Sequence, residues 1–131
     1  MILLDTHAWV WFVADPGRLS HAARDKINSA VKIQQVYIST ISTWEVAMLV
    51  KKGRLELTMN VEEWIFTSER LPFFHFVPID TAIAVQSVNL PGKLHDDPAD
   101  RIIIATARKM NVPVISKDKR ILSYPHVTAV W

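Results

Sequence analysis

Four acidic residues stand where an α/β chain would bring them to one edge of a sheet. Asp5 directly follows the apolar run Ile2-Leu3-Leu4 and opens Thr6-His7-Ala8-Trp9, and Asp118 follows Val112-Pro113-Val114-Ile115 through the turn Ser116-Lys117. Glu45 and Asp100 each interrupt an apolar stripe at helical spacing: Ile41, Trp44, Met48 and Leu49 around the first, Ile103, Ile104 and Ala107 after the second. Carboxylates held in a small volume repel one another and raise each other's pKa, so their assembly calls for a compensating cation. Oxygen donors of this kind suit Mg²⁺ or Mn²⁺. The pattern therefore predicts metal-dependent chemistry on a phosphodiester.

The elements that must position these groups are legible as apolar runs of strand length alternating with helical periodicity, the mark of an α/β fold with a mostly parallel sheet. Strands are predicted at Ile2–Leu4, Val36–Ser39, Phe74–Pro78, Val112–Ile115 and Val127–Val130. Helices are predicted at Thr6–Ala14, from Ser20 to Lys32, from Thr40 to Lys52 with Gly53 as the residue past its end, from Asn60 towards Leu71, from Asp80 to Asn89, and from Pro98 to Met110. In open α/β sheets ligands bind outside the carboxyl ends of strands, where Asp5 and Asp118 fall.

Each acid also has a purely structural explanation. Asp5 suits the N-cap of the helix that follows, and Glu45 could lie at the edge of its stripe and reach solvent. Asp100 could serve the first-turn dipole with Asp97 capping ahead of Pro98, and Asp118 could be an ordinary turn residue. Glu45 resists this most, because a glutamate turned towards a core is costly unless paired or ligating. Asp96 carries no signal beyond that of a loop carboxylate. The histidines His7, His21, His75, His95 and His126 lack metal-site spacing; His95 is near the acids, and a loop role is the default for it.

Composition narrows the class. One domain is expected over residues 1–131, long enough for a full core, with half the residues apolar. There is no cysteine, which removes disulfides and Cys-based zinc sites. Three glycines cannot build a convincing P-loop or dinucleotide fingerprint. The first residues meet Asp5 without a basic segment, a poor signal peptide, and Thr6–Ala14 is too short to span a bilayer; the expectation is a cytoplasmic protein with no membrane association. Net charge is +2, yet with four of the 13 acidic residues assigned to the cluster, nine are left against 15 basic ones. Basic surface around an acidic pocket would suit a polyanion, though ordinary solubilising charge explains it as well.

Taken in order, Ile2-Leu3-Leu4-Asp5-Thr6-His7, Ser42-Thr43-Trp44-Glu45-Val46-Ala47, Asp97-Pro98-Ala99-Asp100-Arg101 with Ile104-Ala105-Thr106-Ala107, and Ser116-Lys117-Asp118 resemble the successive motifs of PIN-domain proteins. Within that superfamily the chain is most similar to VapC-type ribonuclease toxins of type II toxin–antitoxin pairs. The resemblance implies a PIN-like three-layer α/β/α sandwich with a five-stranded parallel sheet, and a Mg²⁺- or Mn²⁺-dependent endoribonuclease that forms a homodimer and is silenced by a cognate VapB-type antitoxin. Its catalytic acids would be Asp5, Glu45, Asp100 and Asp118, with Asp97 a further metal-ligand candidate. Asp5 and Asp100 would hold the metal, Glu45 would orient or deprotonate the attacking water, and Asp118 would complete the shell. Thr6 matches a hydroxyl position that supports the first aspartate, and Ser116-Lys117 stands where Thr-Arg is common. Thr6, Arg101, Ser116 and Lys117 are the candidate RNA-binding residues. Lys119 and Arg120 are expected to flank the site, with no basic residue intrinsic to the acidic cluster.

Trp9, Trp11 and Phe12 make the first helix apolar nearly all round, which fits burial in the core or one face left for a partner. Combined with the resemblance, this predicts an apolar groove near that helix for an amphipathic antitoxin segment. Two other readings stand beside the nuclease. A non-catalytic PIN-like module would be free to lose acids, whereas all four are present. A phospho-acceptor receiver domain would want paired acids after the first strand, where Asp5 stands alone.

Overall fold

The computed structural model describes residues 1–131. Five strands, β1 (Ile2–Leu4), β2 (Val36–Ser39), β3 (Phe74–Val77), β4 (Val114–Ile115) and β5 (Ala129–Val130), form one sheet in the order β3-β2-β1-β4-β5. Every pairing is parallel, with Ile2, Leu3 and Leu4 opposite Val36, Tyr37 and Ile38, and with Leu3 and Leu4 opposite Val114 and Ile115. The chain runs outward from β1 through β2 to β3, then crosses back to place β4 on the other side of β1. The carboxyl ends of β1 and β4 therefore meet at the topological switch point, the position where such sheets leave a crevice.

Side chains along each strand alternate between two cores, as a two-fold pleat requires. Ile2, Leu4, Val36, Ile38 and Ile115 pack with α1 (Thr6–Ala14) and α2 (His21–Lys32), joined by Val46 of α3 (Thr40–Lys51) and Trp64 of α4 (Val61–Glu69). Leu3 and Val114 face the opposite way, against Ile103 and Ala107 of α6 (Pro98–Met110). A third cluster joins Ile83 of α5 (Thr81–Val88), Ile104 and Ala105 of α6, and Ile121 of α7 (Lys119–Leu122). Helices thus cover both faces of the sheet, which explains why its central strands read as unbroken apolar runs.

The predicted elements are present with edges trimmed: β4 and β5 keep only their last two residues, and β3 stops before Pro78. Gly53 ends α3 as predicted, at φ 69°, with its neighbour Arg54 donating its N–H to the Leu49 carbonyl. Two short elements lay outside the sequence reading. Pro16–Arg18 forms a 3₁₀ turn between α1 and α2, and the charged stretch after Asp118 winds into α7.

The aromatic residues of α1 divide between the two readings the sequence left open. Trp9 is wholly buried, its indole Nε1–H donating to Ser68 Oγ at 3.2 Å and its ring 4.9 Å from that of Trp64. Phe12 packs edge-on against Phe73 and Phe74. Trp11, partly buried like Phe12, lies edge-on to Trp131 and borders an open groove. A short helix beside the central strand needs this much apolar surface for the protein's own core.

Trp9→Ala should accordingly cost about 3–5 kcal/mol in urea unfolding, the range for emptying a large buried aromatic site. Trp11→Ala should cost much less. Equal losses would mean that the α1 aromatics are equivalent, contrary to this packing.

Candidate metal and nucleic-acid site

Asp5 is fixed by the fold before its side chain is considered. Its N–H donates to the Ile115 carbonyl at 3.1 Å, carrying the β1–β4 ladder one residue past β1. The carboxylate then caps α1, with Oδ1 accepting the Ala8 N–H at 2.8 Å, so the structural explanation of Asp5 is correct as far as it goes. The same carboxylate lines an open cavity of about 460 Å³ together with Thr6, His7, Trp11, Glu45, Asp97, Asp100, Lys117, Asp118 and Arg120.

β2 passes into α3 without a loop, Ser39 serving as N-cap, and this sets Glu45 at the cavity wall. The buried line of α3 is Ser42 and Val46, whereas Trp44, expected within the apolar stripe, is 55% exposed. Glu45 borders the true buried line, and its Oε1 accepts the Thr6 hydroxyl proton at 2.5 Å. Thr6 also lies 2.9 Å from Ser42 Oγ; having one proton, it accepts from Ser42 while serving an ionised Glu45.

Asp97 caps α6, its Oδ1 accepting the N–H groups of Ala99 at 2.9 Å and Asp100 at 3.2 Å. Asp100, one turn inside, meets His95 Nε2 at 2.7 Å. Because an ionised carboxylate only accepts, Nε2 carries the proton of this bond. Asp118 caps α7, accepting the Arg120 N–H at 2.8 Å. Both of its oxygens also meet the Arg120 side chain, Oδ1 at 3.2 Å from Nε and Oδ2 at 2.9 Å from Nη2. Ser116, expected among the RNA-binding residues, is instead fully buried and does not line the cavity; its Oγ accepts the Asp118 N–H at 3.0 Å.

The electrostatics follow from this arrangement. Burial, opposed by the bonds from Ser116 and Ala8 and reinforced by Asp100, pushes Asp5 from 3.8 up to about 6. Burial also raises Glu45, with the Thr6 bond opposing it and the charges of Asp100 and Asp97 adding to it. Asp100 is raised by burial, partly relieved by His95, and pressed further by Asp97 and Asp118. Asp118 moves the other way, held down by Arg120. Three helices, α1, α6 and α7, direct their N-termini here, and their dipoles favour the negative charge.

All five acids expected at the site therefore share one cavity. Lys117 reaches it as well, its Nζ 5.7 Å from the centre of the Trp11 ring. Arg101 does not. Its guanidinium is spent on backbone carbonyls, Ser87 at 2.8 Å, Leu94 at 3.1 Å and Val88 at 3.3 Å, which ties the loop carrying His95 to the end of α5. Contrary to the sequence expectation, two basic residues belong to the cluster itself. His95 lacks metal-site spacing, which favours a loop role; its one signal is its place five residues ahead of Asp100. Arg120 was placed on the flank because its charges read as solvated surface.

The donor set fits a divalent cation. Atoms of His95, Asp100 and Asp118 lie within 4.8 Å of one another, and the buried Asp5 carboxylate borders the same space with no cation paired to it. The oxygens suit a hard ion better than the imidazole does, since Nε2 is committed to Asp100 and the buried Nδ1 has no partner.

With a parallel sheet of this order and an acidic crevice at its switch point, the chain has the architecture of a PIN domain. The PIN domain family matches residues 2–127, and the chain belongs to that family. It is 34% identical over 132 residues to Ribonuclease VapC22 of Mycobacterium tuberculosis, spanning 99% of this chain and 98% of that protein. Among solved structures, the fold matches VapBC2 from Rickettsia felis bound to a DNA fragment from their promoter, with a TM-score of 0.73 at 14% identity over 99% of this chain and 98% of that one. It also matches a toxin–antitoxin complex from Klebsiella pneumoniae, with a TM-score of 0.67 at 23% identity over 100% of this chain and 97% of that one. No helix is long and apolar enough to cross a membrane.

The raised pKa of Asp5 has a definite sign. Between about 4 and 6 the folded protein keeps a proton that the unfolded chain has released, so stability falls as pH rises through this window. Glu45 and Asp100 act in the same direction, Asp118 in the opposite one. In chelator at pH 7, Asp5→Asn, which keeps the cap, should be more stable than the parent by at most about 3 kcal/mol, and urea unfolding at pH 4 and pH 7 measures the difference. A less stable variant at pH 7 would make Asp5 a structural cap alone.

Proposed function

We propose that this protein is a metal-dependent endoribonuclease, the toxin of a toxin–antitoxin pair, acting as one catalytic domain over residues 1–131. The observation that carries the reading is the convergence of Asp5, Glu45, Asp100 and Asp118 in one cavity at the sheet's switch point. The likeness to Ribonuclease VapC22 along nearly the whole chain supports the substrate class.

Asp5 and Asp100 would hold Mg²⁺ or Mn²⁺, with Asp118, Glu45 and Asp97 around them. The ion, when bound, would offset the carboxylate repulsion, withdraw charge from a phosphoryl oxygen and make a water molecule more acidic. Glu45 is arranged to take up a proton. Thr6 occupies Oε1, Oε2 is left free, and the raised pKa makes this carboxylate a better base than an exposed one. The Ala8 N–H fixes the Asp5 carboxylate, and His95 fixes that of Asp100. Lys117 on the rim would meet the phosphate backbone beside the scissile bond.

Its partner is a VapB-type antitoxin, as the toxin–antitoxin structures sharing this fold suggest. Trp11 supports a seat for it, because its ring borders both the acidic cavity and an apolar groove of about 530 Å³ lined by Val10, Val13, Leu57 and Trp64. A segment lying in that groove would end beside the carboxylates. A homodimer acting in the cytoplasm completes the proposal.

Purified protein should cleave RNA with Mg²⁺ or Mn²⁺ and lose the activity in EDTA. Asp100→Asn should lower cleavage by more than the roughly 10–100-fold that loss of an outer-shell partner costs, while its melting in EDTA stays at or above the parent's. Cleavage that survives both chelation and Asp100→Asn would refute the mechanism.

A further inference from the structure

Arg120 is the only lysine or arginine whose charge lies within 4 Å of a carboxylate in the cluster, and it touches two of them. Its Nη2 is 2.9 Å from Asp118 Oδ2 and 3.7 Å from Asp100 Oδ2, while Nε reaches Asp118 Oδ1. The two acids come from separate elements, the first turn of α6 and the cap of α7, so one guanidinium bridges parts of the chain that would otherwise repel. These are also oxygens that a metal would need. With Oδ2 facing Nη2 and Oδ1 shared between Nε and the Arg120 N–H, Asp118 has no oxygen clear of the guanidinium.

The geometry separates two roles of the same residue. The cap of α7 rests on the backbone N–H of Arg120, which stays whether or not the side chain leaves. The guanidinium side is 59% exposed, has no protein partner beyond these two acids, and can swing into solvent without disturbing the core. An exposed ion pair is weak enough to exchange against a divalent ion.

We propose that Arg120 is a resident counter-cation of Asp100 and Asp118, displaced by the divalent metal and then free to bind a phosphate of the RNA next to the scissile one. This rests on the nuclease reading above and adds an order of events to it: metal entry frees the arginine, and the freed arginine helps hold substrate. The guanidinium suits both partners because its planar fork matches carboxylate and phosphate alike.

Mn²⁺ binding without RNA, by calorimetry on the full chain, tests the exchange. Arg120→Ala should bind Mn²⁺ about twofold to fivefold more tightly than the parent, as expected for removing a competing surface pair, and should melt lower in EDTA because the two acids lose their shared cation. Arg120→Lys, with one point charge in place of a fork, should fall between. With Mn²⁺ saturating, Arg120→Ala should raise KM for RNA more than it lowers kcat. Unchanged Mn²⁺ affinity would reduce Arg120 to an ordinary surface pair, and weaker affinity would make it a brace that positions Asp118; either overturns the exchange while leaving the nuclease reading intact. A parent protein that binds no Mn²⁺ would overturn both.

Discussion

Burial of like charges around Asp100 is the constraint around which the rest of this structure is arranged. Loss of water raises Asp5, Glu45 and Asp100, and mutual repulsion adds to it, from Asp100 on the first two and from Asp97 and Asp118 on Asp100 itself. Burial, nearly complete at Asp5 and partial at Glu45 and Asp100, makes each of these contacts stronger than it would be in water. Five acids from four parts of the chain would move apart if the scaffold let them. The scaffold does not: Asp5 is locked to the β1–β4 ladder, Glu45 rides on a helix that starts directly from β2, and Asp100 is held by the buried face of α6. Apolar packing on both sides of the sheet supplies the rigidity, and the site uses it to hold charge together.

The compensations are local and differ from acid to acid. Asp5 receives the Ala8 N–H and is eased by the Ser116 hydroxyl but has no cation, and it keeps the one pKa pushed as far as about 6. Asp100 has His95, Glu45 has Thr6, and Asp118 has a guanidinium, so among the site's acids it is Asp118 that is moved below its ordinary value. The result is graded, with the most strained carboxylate deepest and the most relaxed at the rim. An ion entering this cavity would gain most at Asp5 and Asp100 and would compete for Asp118.

Much of this was legible in the sequence, because strand-end acids and acids inside helical stripes are departures from pattern that composition alone does not explain. Asp5 and Asp118 follow apolar runs, and the pleat and switch-point rules then place them together. Glu45 was found through a stripe that proved to be the wrong one: Trp44 faces outward, and Ser42 with Val46 makes the buried line, since a hydroxyl and a small apolar group fit where Thr6 must reach Glu45. What could not be read depends on side-chain direction. Arg101 follows a catalytic acid in sequence yet turns to the carbonyls of another helix end, while Arg120, in a run of ordinary charges, turns inward. His95 sits in a loop whose carbonyls are held by the Arg101 guanidinium of α6, which no local pattern reveals. The aromatics of α1 were ambiguous for a related reason, as periodicity does not say whether an apolar helix is covered by its own protein or by a partner.

The site calls for a cation that offsets the buried charge of Asp5 and Asp100. Anomalous diffraction from crystals of the protein grown with Mn²⁺ tests this most directly. The account predicts an anomalous peak bounded by the carboxylates of Asp5 and Asp100, at the roughly 2.0–2.2 Å oxygen distances of small divalent ions, with the Arg120 guanidinium moved off Asp118. A clear map at saturating Mn²⁺ with no peak between Asp5 and Asp100, and Arg120 still on Asp118, would contradict it.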